Sequence, residues 1–162
     1  MIFLDLGLQP LANEYLKNQR IKDKKYRLLV DFNNKNKIVS IKKKFSSTKM
    51  FKNNYPYRSS MSKTMTKSFR NFANILKQKF NQKKVLEIGC NDGVFLENFD
   101  KSLSLGIEPC ANIAKLSKRK KINVLIKYWS PETAFKIKNK YGKRIYFPQV
   151  HKILNRDHNR HF

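Results

Sequence analysis

The chain has 162 residues, room for one domain or for a small domain joined to part of a second. Hydrophobic residues make up 40% of it, enough for a core, while 36 Lys and Arg against 11 Asp and Glu give a formal net charge of +25. Two cysteines, Cys90 and Cys110, do not make a disulfide framework. No apolar run reaches the roughly 20 residues of a membrane span, and the N-terminus lacks the basic start and apolar stretch of a secretory leader. The expectation is a cytoplasmic protein without a membrane partner.

In chain order, residues 1–60 hold short apolar pieces (Ile2 to Leu8, Tyr26 to Phe32, Ile38 to Ile41) separated by Asn- and Lys-rich connections, and the alternation in KIVSIK predicts a strand. Between Lys17 and Lys52 stand thirteen basic residues against Asp23 and Asp31 alone, which reads as a small, poorly cored α+β module. Residues 61–82 read as a helix capped by Ser62 or Ser68, with Phe69, Phe72, Ala73, Leu76 and Phe80 at three- and four-residue spacing. Strand and helix then alternate over residues 83–147. KKVLEIG is a strand, Asn91-Asp92-Gly93 a turn and VFLENF a helix; LSLGIEP is a strand, followed by a helix from Ala111 to about Lys120. INVLIKY, a helix from Pro131 to Asn139 and RIYF complete the series, a pattern that predicts parallel βαβ units. Residues 148–162 form an irregular tail that carries all three histidines, His151 among them.

The segments with chemical content are VLEIGCNDGVFLENF and LGIEP. Ligands of open α/β sheets bind beyond the carboxyl ends of strands, and Glu87, Gly89, Asn91, Asp92 and Gly93 all fall at that edge. A Gly just past a strand permits a tight turn and close approach of a ligand. Asn91 and Val94 occupy positions where a dinucleotide fingerprint has glycines, and no Gly-Lys-Ser/Thr follows for a phosphate loop. Glu108 ends the second strand 19 residues after Gly89, where a carboxylate accepts ribose hydroxyls. Five of the 11 acidic residues (Glu87, Asp92, Glu97, Asp100 and Glu108) lie within this short stretch. S-adenosylmethionine, with its sulfonium and ammonium groups, suits such a site. Read singly, Glu87 and Glu108 are equally ordinary solvated strand ends, and Asn-Asp-Gly an ordinary turn. The cysteines at the strand ends read as small buried thiols.

Over residues 4–146 the chain resembles the sugar C-methyltransferases that carry an N-terminal zinc-binding module. The likeness rests on LDLGLQPLANEYL, FKNNYPYRSSMS, VLEIGCNDGVFLENF and LGIEPCANIA. It implies a partial Rossmann-like S-adenosylmethionine domain of the class I type, preceded by a remnant of the zinc module over residues 1–60. It further implies that Glu87, Gly89, Asn91, Asp92 and Gly93 surround the methionine part, that Glu108 holds the ribose, and that Tyr55 and Tyr57 face the substrate. That substrate is a nucleotide-linked keto-deoxysugar, methylated at carbon. Where the family has a Cys-x-x-Cys, this chain reads Asn33-Asn34-Lys35-Asn36. Amides do not replace thiolates on zinc, so no structural zinc is expected. The resemblance fades after about Tyr146, so the chain reads as truncated or out of frame there, without an identifiable catalytic base and with a second chain as the candidate to supply the missing region. The alternative is a non-catalytic basic module that binds nucleic acid or another polyanion through its charge.

Overall fold

The structure, a computed structural model, describes residues 1–42, 45–52, 54–80, 84–142 and 145–146. The chain divides into two compact units, Met1–Pro56 and Tyr57–Phe162. The predicted tail at 148–162, His151 included, lies outside the described residues.

The first unit is a three-stranded antiparallel sheet in the order β1 (Ile2–Pro10), β2 (Lys25–Asn33), β3 (Ile38–Ile41), followed by a single helical turn, α1 (Ser47–Met50). The β2–β3 hairpin is built by asparagine side chains. Asn33 Oδ1 accepts the Lys35 N–H at 2.9 Å and the Asn36 N–H at 3.3 Å, and Asn36 Oδ1 accepts the Ile38 N–H at 3.1 Å. Asn33 and Asn36, the positions compared above with a Cys-x-x-Cys, thus act as turn formers, a role short amides fill well. Lys37 completes the turn at φ +55°. On β1, the Asp5 carboxylate takes the Gly7 N–H at 2.9 Å and the Arg27 guanidinium at 2.6 Å, where the pairing register shifts. Among the described residues of this unit none is fully buried.

The second unit is mixed α/β around a parallel sheet of β4 (Lys84–Ile88), β5 (Ser104–Ile107), β6 (Val124–Leu125) and β7 (Ile145–Tyr146), in the order β6-β5-β4-β7. The chain steps from β4 out to β6 and then returns to the far side of β4, so the strand order reverses at β4. Helices α2 (Lys63–Phe80), α3 (Ala111–Arg119) and α4 (Pro131–Tyr141) supply the covering layers. Alternation along the strands feeds two apolar clusters. Val85, Cys90, Phe95, Leu96, Ile122 and Val124 pack with Ala73 of α2 and Ala114 of α3, whereas Leu86, Leu105 and Ile107 pack with Ile137 of α4. Phe95 is the hub of the first cluster, with Phe69, Phe72 and Phe99 rings centred 5.0–5.8 Å away.

The helix boundaries have local causes. Ser62 caps α2, its Oγ accepting the Met65 N–H at 3.2 Å. Ser130 caps α4 by taking the Thr133 N–H at 3.1 Å, with Pro131 in the first turn. The helix expected over 94–99 is shorter than predicted, a 3-10 turn over Leu96–Asn98. Asn98 Nδ2 donates to the Val94 carbonyl at 3.1 Å and the Phe95 carbonyl at 2.9 Å, competing for the acceptors that a helix would use. The strand expected over 122–128 pairs only at Val124–Leu125, opposite Gly106 and Ile107. Beyond it the Lys127 N–H turns back onto the Leu125 carbonyl at 3.1 Å.

Candidate functional site

At the carboxyl ends of β4 and β5 the chain makes two sharp departures. Beyond Ile88, Gly89 adopts φ +71°, Asn91 φ +50° and Gly93 φ +77°. The N–H groups of Gly89 and Cys90 both reach the Ile107 carbonyl, at 2.8 and 3.0 Å, which ties the turn to the end of β5. Beyond Ile107, Glu108 takes the Leu125 carbonyl at 3.1 Å through its own N–H and folds its side chain back over the turn. Its Oε2 accepts the Asn91 N–H at 3.0 Å and its Oε1 the Cys110 N–H at 2.8 Å.

The result is a cluster of buried acids. Glu87, Asp92 and Glu108 are 2%, 1% and 5% exposed, so they are not solvated strand ends. Carboxylates this far from water require hydrogen bonds, a cation or a proton. Burial, with Glu108 and then Asp92 beside it, holds the Glu87 carboxyl well above the ordinary carboxylate range. One Asp92 oxygen accepts the Ser60 N–H at 3.3 Å, while Oδ1 has no hydrogen-bond partner among the described residues. Lys120, from the end of α3, reaches the Asp92 carbonyl at 3.0 Å rather than its carboxylate and pairs with Glu97.

Two glycines sit where a side chain would force a neighbour to move. A Cβ on Gly93 would sit 2.5 Å from Ile122 Cδ1, and one on Gly106 would sit 2.4 Å from Cys90 Sγ. Gly89 differs: space for a Cβ is open, but its positive φ disfavours any side chain. The site is therefore walled behind Gly93 and open above Gly89. Cys90 and Cys110 are buried free thiols. Burial and the neighbouring carboxylates raise both, Cys110 to about 12, so neither supplies a thiolate nucleophile near neutral pH. Tyr128, beyond β6, is likewise raised by burial and by Cys110 and Glu108, which sets it beside the same edge.

All six residues expected at the cofactor edge come together: Glu87, Gly89, Asn91, Asp92, Gly93 and Glu108. The two tyrosines part company. Tyr55 belongs to the first unit, its hydroxyl accepting Asn13 Nδ2 at 3.0 Å; Tyr57 opens the second, its carbonyl accepting Asn91 Nδ2 at 3.3 Å. Four contributors escaped the sequence reading. Ser59 and Ser60 act through backbone N–H groups, which leave no residue-type signature. Ser117 donates to the Asn91 carbonyl at 2.8 Å from an unremarkable polar position. Gly106 could have been found, because a glycine inside a strand pattern marks close approach of another group.

Among the described residues no group of three or more His, Cys, Asp or Glu stands so as to hold a metal ion, and no helix is long and apolar enough to cross a membrane. Comparison with the profiles of known protein families finds no match, and neither does comparison with curated proteins.

Proposed function

We propose that the acidic edge of β4 and β5 binds S-adenosylmethionine, and that the chain is part of a C-methyltransferase acting on a nucleotide-linked keto-deoxysugar. The observation that carries this reading is the burial of Glu87, Asp92 and Glu108 at the ends of two adjacent parallel strands in a chain of net charge +25. The order β6-β5-β4-β7 supports a Rossmann-like assignment, since the half-sheet of that fold runs third, second, first, fourth.

The residues suit this ligand. A pyrophosphate would meet buried carboxylates and is disfavoured, whereas a ligand with an ammonium, a sulfonium and a vicinal diol offers what the acids lack. Glu108 would accept the ribose hydroxyls, since each of its oxygens keeps a lone pair beyond the one used on a backbone N–H. Glu87 and Asp92 would face the cationic end, with Asp92 Oδ1 available as an acceptor. Gly89, with open space where a Cβ would stand, would let the ligand approach the backbone closely, and Gly93 would let the turn pack against Ile122 and Ser117. When bound, the cofactor supplies an electrophilic methyl group. The chain's own part is to orient that group and to keep water from it, which the depth of the acids favours. The sugar acceptor rests on the resemblance in FKNNYPYRSSMS, and a second chain completing the catalytic apparatus belongs to the same reading.

The net charge of +25 favours a second reading, a polyanion-binding module without catalysis. A thermal-shift series separates the two. S-adenosylmethionine and S-adenosylhomocysteine raise the melting temperature under the first reading, and added salt leaves most of the effect intact. Under the second, only a nucleic acid does so, and the shift collapses as salt rises.

A further inference from the structure

Asn91 sits where the resemblance would place a methionine contact, yet each of its polar groups is engaged by the chain itself. Its N–H donates to Glu108 Oε2 at 3.0 Å and its carbonyl accepts Ser117 Oγ at 2.8 Å. Its side-chain Oδ1 accepts the Ser59 N–H at 2.8 Å, and Nδ2 donates to the Tyr57 carbonyl at 3.3 Å. The neighbouring Asp92 adds the Ser60 N–H at 3.3 Å. The backbone of Asn91 faces the acids and its side chain holds the segment that opens the second unit. Its φ of +50° is what allows both at once, and asparagine tolerates that conformation better than most residues.

We infer that Asn91 is a positioning residue that couples occupancy of the acidic site to the order of residues 57–62. The inference rests on the cofactor reading above. A ligand that engages Glu108 and Asp92 stiffens the turn from its inner side, and the stiffened turn fixes the acceptors for the Ser59 and Ser60 N–H groups on its outer side. Such coupling needs no change of shape, only a loss of motion shared by both faces. It is reciprocal, so a chain that cannot hold residues 57–62 binds the ligand more weakly by the factor the coupling contributes. The 3-10 turn over Ser59–Met61 and the cap at Ser62 lie in this segment, so its order bears on the start of α2 as well.

Hydrogen exchange of the full chain, with and without S-adenosylhomocysteine, tests this. Asn91→Gly is the informative variant, because glycine keeps the positive φ while removing both side-chain bonds. In the wild type, saturating ligand slows exchange in peptides spanning 84–93 and 57–62 alike. In Asn91→Gly the ligand still protects 84–93, but 57–62 exchanges about tenfold faster and gains no protection, and affinity falls by a similar factor. Asn91→Asp, which retains an acceptor for the Ser59 N–H, restores part of the protection at 57–62. Protection at 84–93 with no ligand effect at 57–62 in the wild type overturns the inference and leaves the cofactor reading standing. Absence of protection anywhere in a folded wild type overturns both.

Discussion

Glu87 concentrates the electrostatic question posed by this site. An ordinary Glu titrates at about 4.3, and burial raises this one well above its usual value. Its folded pKa therefore exceeds its unfolded one, and the protonated form is the one the fold prefers. The stabilisation is fully present below the unfolded pKa and is lost as pH rises through the raised folded value. Thermal unfolding followed across that window should show Glu87→Gln more stable than the wild type at the upper end, with the difference shrinking on acidification. A cationic ligand acts in the opposite sense, favouring the ionised carboxylate, so its affinity should rise with pH over the same window. At Gly93 the constraint is steric. Ala there meets Ile122 Cδ1 at 2.5 Å in a left-handed backbone and should cost about 2–4 kcal/mol in denaturant melts, combining strain and overpacking. Gly89→Ala meets no atom within 4 Å and should cost less, about 1–2 kcal/mol, from backbone strain alone.

At the scale of elements, apolar runs bounded by Gly, Pro and Asn made the alternation of strand and helix legible, because burying a strand on both faces demands an uninterrupted apolar stretch. VLEI, apolar but for Glu87, and LGI come close to that, and both are strands. Lengths were less legible, since they depend on partners. INVLIKY has the composition for seven strand residues, but β5 offers it only Gly106 and Ile107. VFLENF has helical spacing, yet Asn98 diverts the carbonyls of Val94 and Phe95. Capping was readable where side chain and backbone agree. Ser62 caps α2 and Pro131 starts α4 as expected, the structure adds the Ser130 cap, and Ser130→Ala should lower stability by about 1 kcal/mol, measured by chemical denaturation. The acidic cluster is legible for a related reason: strand ends in a parallel sheet converge at one edge, so residues far apart in sequence share a place. The hold of Asn91 and Asp92 on Tyr57, Ser59 and Ser60 was not legible, because it runs largely through backbone groups.

For the whole molecule, charge and core point in different directions. The fully buried apolar side chains among the described residues all lie from Ala73 onward, so the first unit relies on its sheet hydrogen bonds and on partly buried contacts. With a net charge of +25, self-repulsion opposes compactness throughout. Moderate salt should therefore raise the melting temperature, as screening over a Debye length of about 8–10 Å relieves repulsion between surface lysines. Against this background the second unit buries Glu87, Asp92 and Glu108, and buried carboxylates are costly unless they are hydrogen-bonded, protonated or paired with a cation. The most direct test is calorimetric titration of the folded chain with S-adenosylhomocysteine, beside Glu108→Gln checked for folding by circular dichroism. Saturable one-site binding is expected, weakening by about tenfold or more in the variant. Absence of binding by a wild-type chain that melts cooperatively would contradict a cofactor site at the acidic edge.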